Sequence, residues 1–159
     1  MKRKINLFDR IGSLIRGYKG YVIRDEKRNT DKKLRDELAT KIEYCEVAIV
    51  DFQQVLIKNN LLQQCQEWDI ARKSLNTLRS KIKHAVYGES SFFSENQLKE
   101  NELDEIYDYD FEIIERVDVI NKTIEFQIKE SDSPVVINEQ VREIYSIITK
   151  RTNFINSYK

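Results

Sequence analysis

The sequence predicts an all-α protein, an antiparallel up-down bundle of four long helices with a short N-terminal helix. Three observations predict it. Apolar residues recur three and four positions apart over long stretches, the period of a helix with one buried face. The 159 residues include one Pro and four Gly, too few for the turns of a strand-rich fold. The segments between stripes are short, which sets consecutive helices antiparallel. The length suits a single domain over 1–159 with one core.

The elements follow in order. The first helix, about Ile5 to Arg16, carries Ile5, Phe8, Ile11 and Ile15 on one face and ends at a glycine-bracketed hinge, 17–20. The second runs from about Tyr21 to Lys58, where Asn59-Asn60 is the stop signal. At its predicted length it spans about 57 Å against about 40 Å for the third helix. Its N-terminal part therefore overhangs, unless the first helix folds back over 21–33. The third helix runs through Trp68, Ala71, Leu75, Leu78 and Ile82 to Tyr87-Gly88. Ser94 and Gln97 form a capping-box pattern before the fourth, with Phe93 and Leu98 placed as a hydrophobic staple. The fourth carries Leu103, Ile106, Ile113, Val117, Ile120 and Ile124 to about Lys129. Pro134 opens the fifth, or Asn138 caps it after a short extended segment. That last helix buries Val141, Ile144, Ile148 and Ile155.

Charged residues make up 34% and hydrophobic ones 40%, a globular composition. No apolar run reaches the roughly eighteen residues of a membrane span, and the first residues lack a signal-peptide apolar region. Cys45 and Cys65 fall about 13 Å apart along two antiparallel helices, too far to bridge. Two unpaired cysteines facing the core suit a reducing cytoplasm.

Net charge is zero but unevenly spread: residues 1–35 carry twelve Lys/Arg against four Asp/Glu, and 89–118 carry eleven Asp/Glu against two Lys/Arg. Poles that cancel disfavour whole-surface nucleic-acid binding.

One register anomaly stands out. The second-helix stripe Leu38, Ile42, Cys45, Ile49, Phe52, Leu56, followed backward, meets Arg35, Asp31, Arg28 and Arg24 in core slots. The fourth-helix stripe places Asp110 in a core slot too. In an up-down bundle these N-terminal halves share one end with the C-terminus of the third helix, bringing His84, Tyr87, Tyr107 and Asp108 near. Arg24, Arg28, Asp31, Arg35 and Asp110 are thus the candidate binding cluster. It is either a buried salt-bridge network that fixes register, or an anion pocket in which surplus arginines await a phosphate or carboxylate. The charges from Asp25 to Lys33 otherwise read as a solvated face with pairs such as Lys27–Asp31 and Lys33–Glu37.

Arg79 and His84, followed by Ala85-Val86-Tyr87, resemble the Arg-x4-6-His motif of HEPN-family ribonucleases, which are helical bundles and use both residues at an RNA phosphodiester. Ser80 stands where that motif commonly has Asn or Asp. Glu112, Glu115 and Asp118 are similar in spacing to the acids of all-α nucleotide pyrophosphohydrolases that bind Mg²⁺, but no second acidic helix completes the set. Tyr18, Tyr21, Tyr107 and Tyr109 either stack on bases or pack with their hydroxyls in water. One His and no Cys pair leave no zinc or di-metal motif, and no Gly-rich phosphate loop exists, so no metal or cofactor is expected.

Segments 24–38 (RDEKRNTDKKLRDEL), 87–93 (YGESSFF) and 102–110 (ELDEIYDYD) together resemble a group of bacterial helical-bundle proteins without assigned activity. The resemblance implies no function, only that the polar end is a shared feature. The expected role is a non-enzymatic cytoplasmic scaffold or adaptor acting through a protein partner or self-association. The alternative is metal-independent RNA cleavage by Arg79 and His84. Neither reading calls for a membrane, and an anion at the arginine cluster is allowed.

Overall fold

The computed structural model describes residues 2–23, 26–85, 91–94 and 98–158, with side chains from Leu7 onward. It contains α1 (Lys2–Leu14), α2 (Lys27–Lys58), α3 (Leu62–Lys83), α4 (Glu100–Glu130) and α5 (Val135–Ser157), with a 3-10 turn at Ser91–Phe93 and no strand among the described residues. The all-α bundle with a short leading helix is therefore the fold. Among the described residues no helix is long and apolar enough to cross a membrane.

α2 packs against α3 and α4, and α5 packs against α4 and α3, so α3 and α4 occupy opposite corners. Lys41–Asp118 and Cys45–Asn121 contacts set α2 parallel to α4. Gln53 reaching Cys65 and Arg35 reaching Lys83 set α2 antiparallel to α3. The link from α3 to α4 must then cross the diagonal at one end of the bundle. It carries the 3-10 turn over that end, where Phe92 is fully buried and Phe93 nearly so. Ser91 donates to the Tyr158 carbonyl (2.6 Å), pinning the crossing to the end of α5.

The core holds most of the stripes read from the sequence, with Trp68 edge-on to Phe52 at 5.3 Å between ring centres; Ile114, Ile137 and Ile147 join it, while Phe8, Leu103 and Ile148 are only partly buried. The turns use residues that tolerate left-handed backbone. Asn60 (φ 58°) ends α2 and lets the Leu61 N–H reach back to the Leu56 carbonyl (2.9 Å). Ser131 (φ 53°) does the same for α4, where Asp132 N–H bonds the Gln127 carbonyl.

Four expectations shift. α2 starts at Lys27, not near Tyr21, and no overhang exists: Lys27, Thr30, Asp31 and Leu34 are all buried. The reason is that α1 folds back along α4 and the hinge tucks its tyrosines into the core. α3 ends at Lys83, and Tyr87-Gly88 lie outside the described residues. α4 begins at Glu100, where Glu102 Oε2 accepts the Lys99 N–H at 2.6 Å, so the capping pattern acts one turn later than Ser94 and Gln97 suggest. Ser94 instead closes the 3-10 turn by bonding Ser91, and Gln97 lies outside the described residues. α5 follows directly on Pro134, whose carbonyl accepts the Ile137 N–H, so the proline start is the one used.

The charge poles meet within one chain. α1 lies along α4, Arg10 sits over the Phe111 ring at 4.4 Å and approaches Glu115 at 4.0 Å, and Tyr18 reaches Asp110.

Candidate functional site: a buried arginine, aspartate and tyrosine network beside a cleft

The topology gathers one end from four sources: the hinge after α1, the start of α2, the start of α4 and the end of α5. Asp110 is fully buried there. Its Oδ1 accepts Arg151 Nε at 2.7 Å, and its Oδ2 accepts the hydroxyls of Tyr18 (2.7 Å) and Tyr21 (2.8 Å). Arg151 Nη2 donates to Asp31 Oδ1 at 2.7 Å and to the Tyr21 hydroxyl at 3.0 Å. Asp31 Oδ2 accepts Arg35 Nε at 2.9 Å. Arg35 Nη1 then donates to the carbonyls of Lys83 and Ala85, so a cation sits on the C-terminal end of α3 where the helix dipole favours it.

Two guanidinium groups therefore balance two carboxylates, with tyrosine hydroxyls completing the acceptor needs of Asp110. Burial raises the Asp110 carboxyl above the ordinary range, while Arg151 and the two hydroxyls oppose that rise. Burial likewise raises the phenols of Tyr18 and Tyr21 well above normal, and the neighbouring Asp110 charge adds to it.

The hinge exists to deliver those tyrosines. Gly17 (φ 79°) and Gly20 (φ 75°) turn the chain through left-handed backbone, and Thr30 Oγ1 bonds the Gly20 carbonyl at 2.9 Å. The Tyr21 N–H then donates to the Tyr107 hydroxyl at 3.0 Å. A Cβ on Gly20 would lie 2.5 Å from that hydroxyl oxygen.

Of the predicted cluster, Asp31, Arg35 and Asp110 come together. Arg24 lies outside the described residues. Arg28 is exposed with its guanidinium over the Phe93 ring at 5.7 Å. Asp110 is matched not by an α2 arginine but by Arg151, which sequence reasoning missed. The signal was present: 144, 148, 151 and 155 continue the helical spacing, so Arg151 breaks its stripe as Asp110 breaks its own. Lys27 and Asp31 are not a solvated pair. Lys27 is fully buried and its ammonium reaches the carbonyls of Phe92 (3.4 Å) and Ser94 (3.3 Å), tying the crossing to α2. Lys33 bonds the Gly17 carbonyl (3.2 Å). The hydroxyls of Tyr18, Tyr21 and Tyr107 point inward rather than into water.

The remaining candidates occupy other places. Arg79 Nε is held by Glu46 Oε2 at 2.6 Å, with Asn76 on the other oxygen of the same carboxylate. His84 is the C-cap of α3, its N–H on the Ser80 carbonyl, and five positions of helix rotate it about 140° from Arg79. Glu112 and Glu115 are exposed, and Asp118 pairs with Lys41 at 2.8 Å. Among the described residues no group of three or more His, Cys, Asp or Glu is placed to hold a metal ion.

One side of the network borders a cleft of about 610 Å³ between α2, α3 and α5. Asp31, Arg35, His84 and Arg151 line it together with Phe93, Ile148 and Ile155.

Comparison with known proteins returns no match: no family model fits the chain, and no curated protein or solved structure matches it.

Proposed function

We propose that this chain is a non-enzymatic helical adaptor or scaffold that works through protein–protein contacts. The observation that carries the reading is a group of exposed apolar side chains at the end of the bundle opposite the network. At one end the buried charges satisfy one another beside the cleft. At the other, the α2–α3 and α4–α5 turns share a depression of about 470 Å³ lined by Leu61, Leu62 and Ser131–Ser133. Large apolar side chains stand in solvent at or beside these turns: Ile57 is 52% exposed, Leu62 60%, Val135 61% and Val136 44%. Apolar side chains gathered at one end have a physical reason to bind a partner's apolar surface. That end, not an overhang of α2, is the proposed docking surface.

The test is recovery of partners from the native host with the wild-type chain and with a Leu62→Asp/Val135→Asp variant. Both positions are exposed, so melting temperature is expected to change little. A partner retained by the wild type and lost by the variant supports the proposal. A monomer that recovers no protein, or a partner held equally by both chains, overturns it.

A further inference from the structure

We infer that the cleft beside Arg151 binds a small amphipathic monocarboxylate, an alkyl or aryl acid with one anionic head. The site is distinct from the proposed docking end and does not depend on it.

The first observation is an unused donor edge. Arg151 has 10% side-chain exposure, and its Nε and Nη2 are committed to Asp110, Asp31 and Tyr21. Nη1 donates to no acceptor among the described residues. It is the edge left to face the cleft that Arg151 lines. A guanidinium held on one side by two carboxylates cannot turn away, so its remaining N–H groups are a fixed donor pair. Fixed donors lose little freedom when a carboxylate oxygen arrives.

The second observation is the lining. Phe93, Ile148, Ile155 and Ala85 give the cleft apolar walls, while Lys81 and His84 stand at its rim. Beneath it lies an adjoining void of about 40 Å³, bounded by Leu34, Leu38, Ile82 and Ile113 and sharing Arg35, Arg151 and Thr152 with the cleft. The Leu34, Leu38, Ile82 and Ile113 side of that space offers an apolar wall to the end of a hydrocarbon chain.

The third is charge. Arg35 and Arg151 are already balanced by Asp31 and Asp110, so among the described residues lining the cleft the Lys81 ammonium is the charge in excess. Lys81 lies over the Tyr145 ring at 4.8 Å. One negative charge neutralises the site; a phosphate dianion would overshoot it and bring no apolar body for the walls.

The experiment is titration of the full chain with octanoate, octanol, acetate and inorganic phosphate, followed by methyl resonances of Ile148 and Ile155 and by melting temperature. Octanoate is expected to saturate, shift those resonances and raise the melting temperature, with octanol at least tenfold weaker and acetate and phosphate without effect. Thr152→Trp, an exposed helical position on the cleft wall, is expected to fold normally and to lose octanoate binding. Equal binding of octanol and octanoate, a response to phosphate alone, shifts confined to Leu61, Leu62 and Val135, or binding unaffected by Thr152→Trp would each overturn the inference. So would the absence of any saturable response.

Discussion

Arg151, six residues before the end of α5, presents its Nε to Asp110 Oδ1 at 2.7 Å, joining the final helix to a carboxylate with no solvent exposure. The pair ties α5 to α4, and Asp31 on the same guanidinium ties both to α2. Loss of one member leaves a buried charge without its counter-charge. Asp110→Ala is therefore expected to lower stability by about 3–5 kcal/mol, the usual cost of breaking a buried pair. Asp108→Ala, exposed and two residues away, is expected to change it by less than about 0.5 kcal/mol. Urea unfolding of the two variants beside wild type checks the contrast.

The tyrosines supply a pH signature. Burial raises Tyr18, Tyr21 and Tyr107 above the ordinary phenol value in the folded chain. Between the unfolded value, about 10, and the higher folded value the folded state holds more protons, so stability falls as pH rises. Their contribution is complete below about pH 10 and is lost above it. Tyrosinate absorbance for these three is expected to emerge only with unfolding, and Tyr18→Phe/Tyr21→Phe should flatten the alkaline loss.

Gly20 and Gly17 separate backbone strain from collision. Both have positive φ, which costs an L-residue about 1–2 kcal/mol. At Gly17 a Cβ meets only the flexible end of Lys33, whereas at Gly20 it meets the Tyr107 hydroxyl and the Phe8 ring. Gly20→Ala is expected to be the more damaging, with a larger drop in melting temperature than Gly17→Ala.

The two thiols should differ. Cys45 is buried, its thiol pushed up to about 12 by that burial, and it contacts Asn121 Oδ1. Cys65 is half-buried at the α2–α3 interface. A thiol-specific reagent at neutral pH is expected to label Cys65 in the native chain and Cys45 only after denaturation. Equal rates would mean that the α2–α4 contact opens.

Much of this was legible in the sequence because helical period is a local property. The stripes of α2, α3 and α4 and the Asn59-Asn60 stop follow from spacing and turn chemistry alone, and Asp31 and Asp110 declared themselves as charges in core slots. Arg151 carried the same signal on α5, but its partner lies 41 residues away and is met only through tertiary packing. The hinge was harder. The glycines marked 17–20, but Tyr21-Val22-Ile23 is helix-compatible, and the burial of the Tyr18 and Tyr21 hydroxyls on Asp110 is a tertiary contact that spacing does not show. The diagonal crossing was hidden too, because helix-compatible residues at both ends of the link made it look short, whereas α3 ends at Lys83 and α4 begins only at Glu100.

The central claim is that Arg151 and Asp110 act as one unit locking three helices together. A double-mutant cycle with Asp110→Ala, Arg151→Met and the combined variant measures it directly by chemical denaturation. The two single losses are expected to be large and the combined loss far smaller than their sum, giving a coupling of about 2–3 kcal/mol. Additivity within about 0.5 kcal/mol would show the two side chains to be independent and would contradict the account.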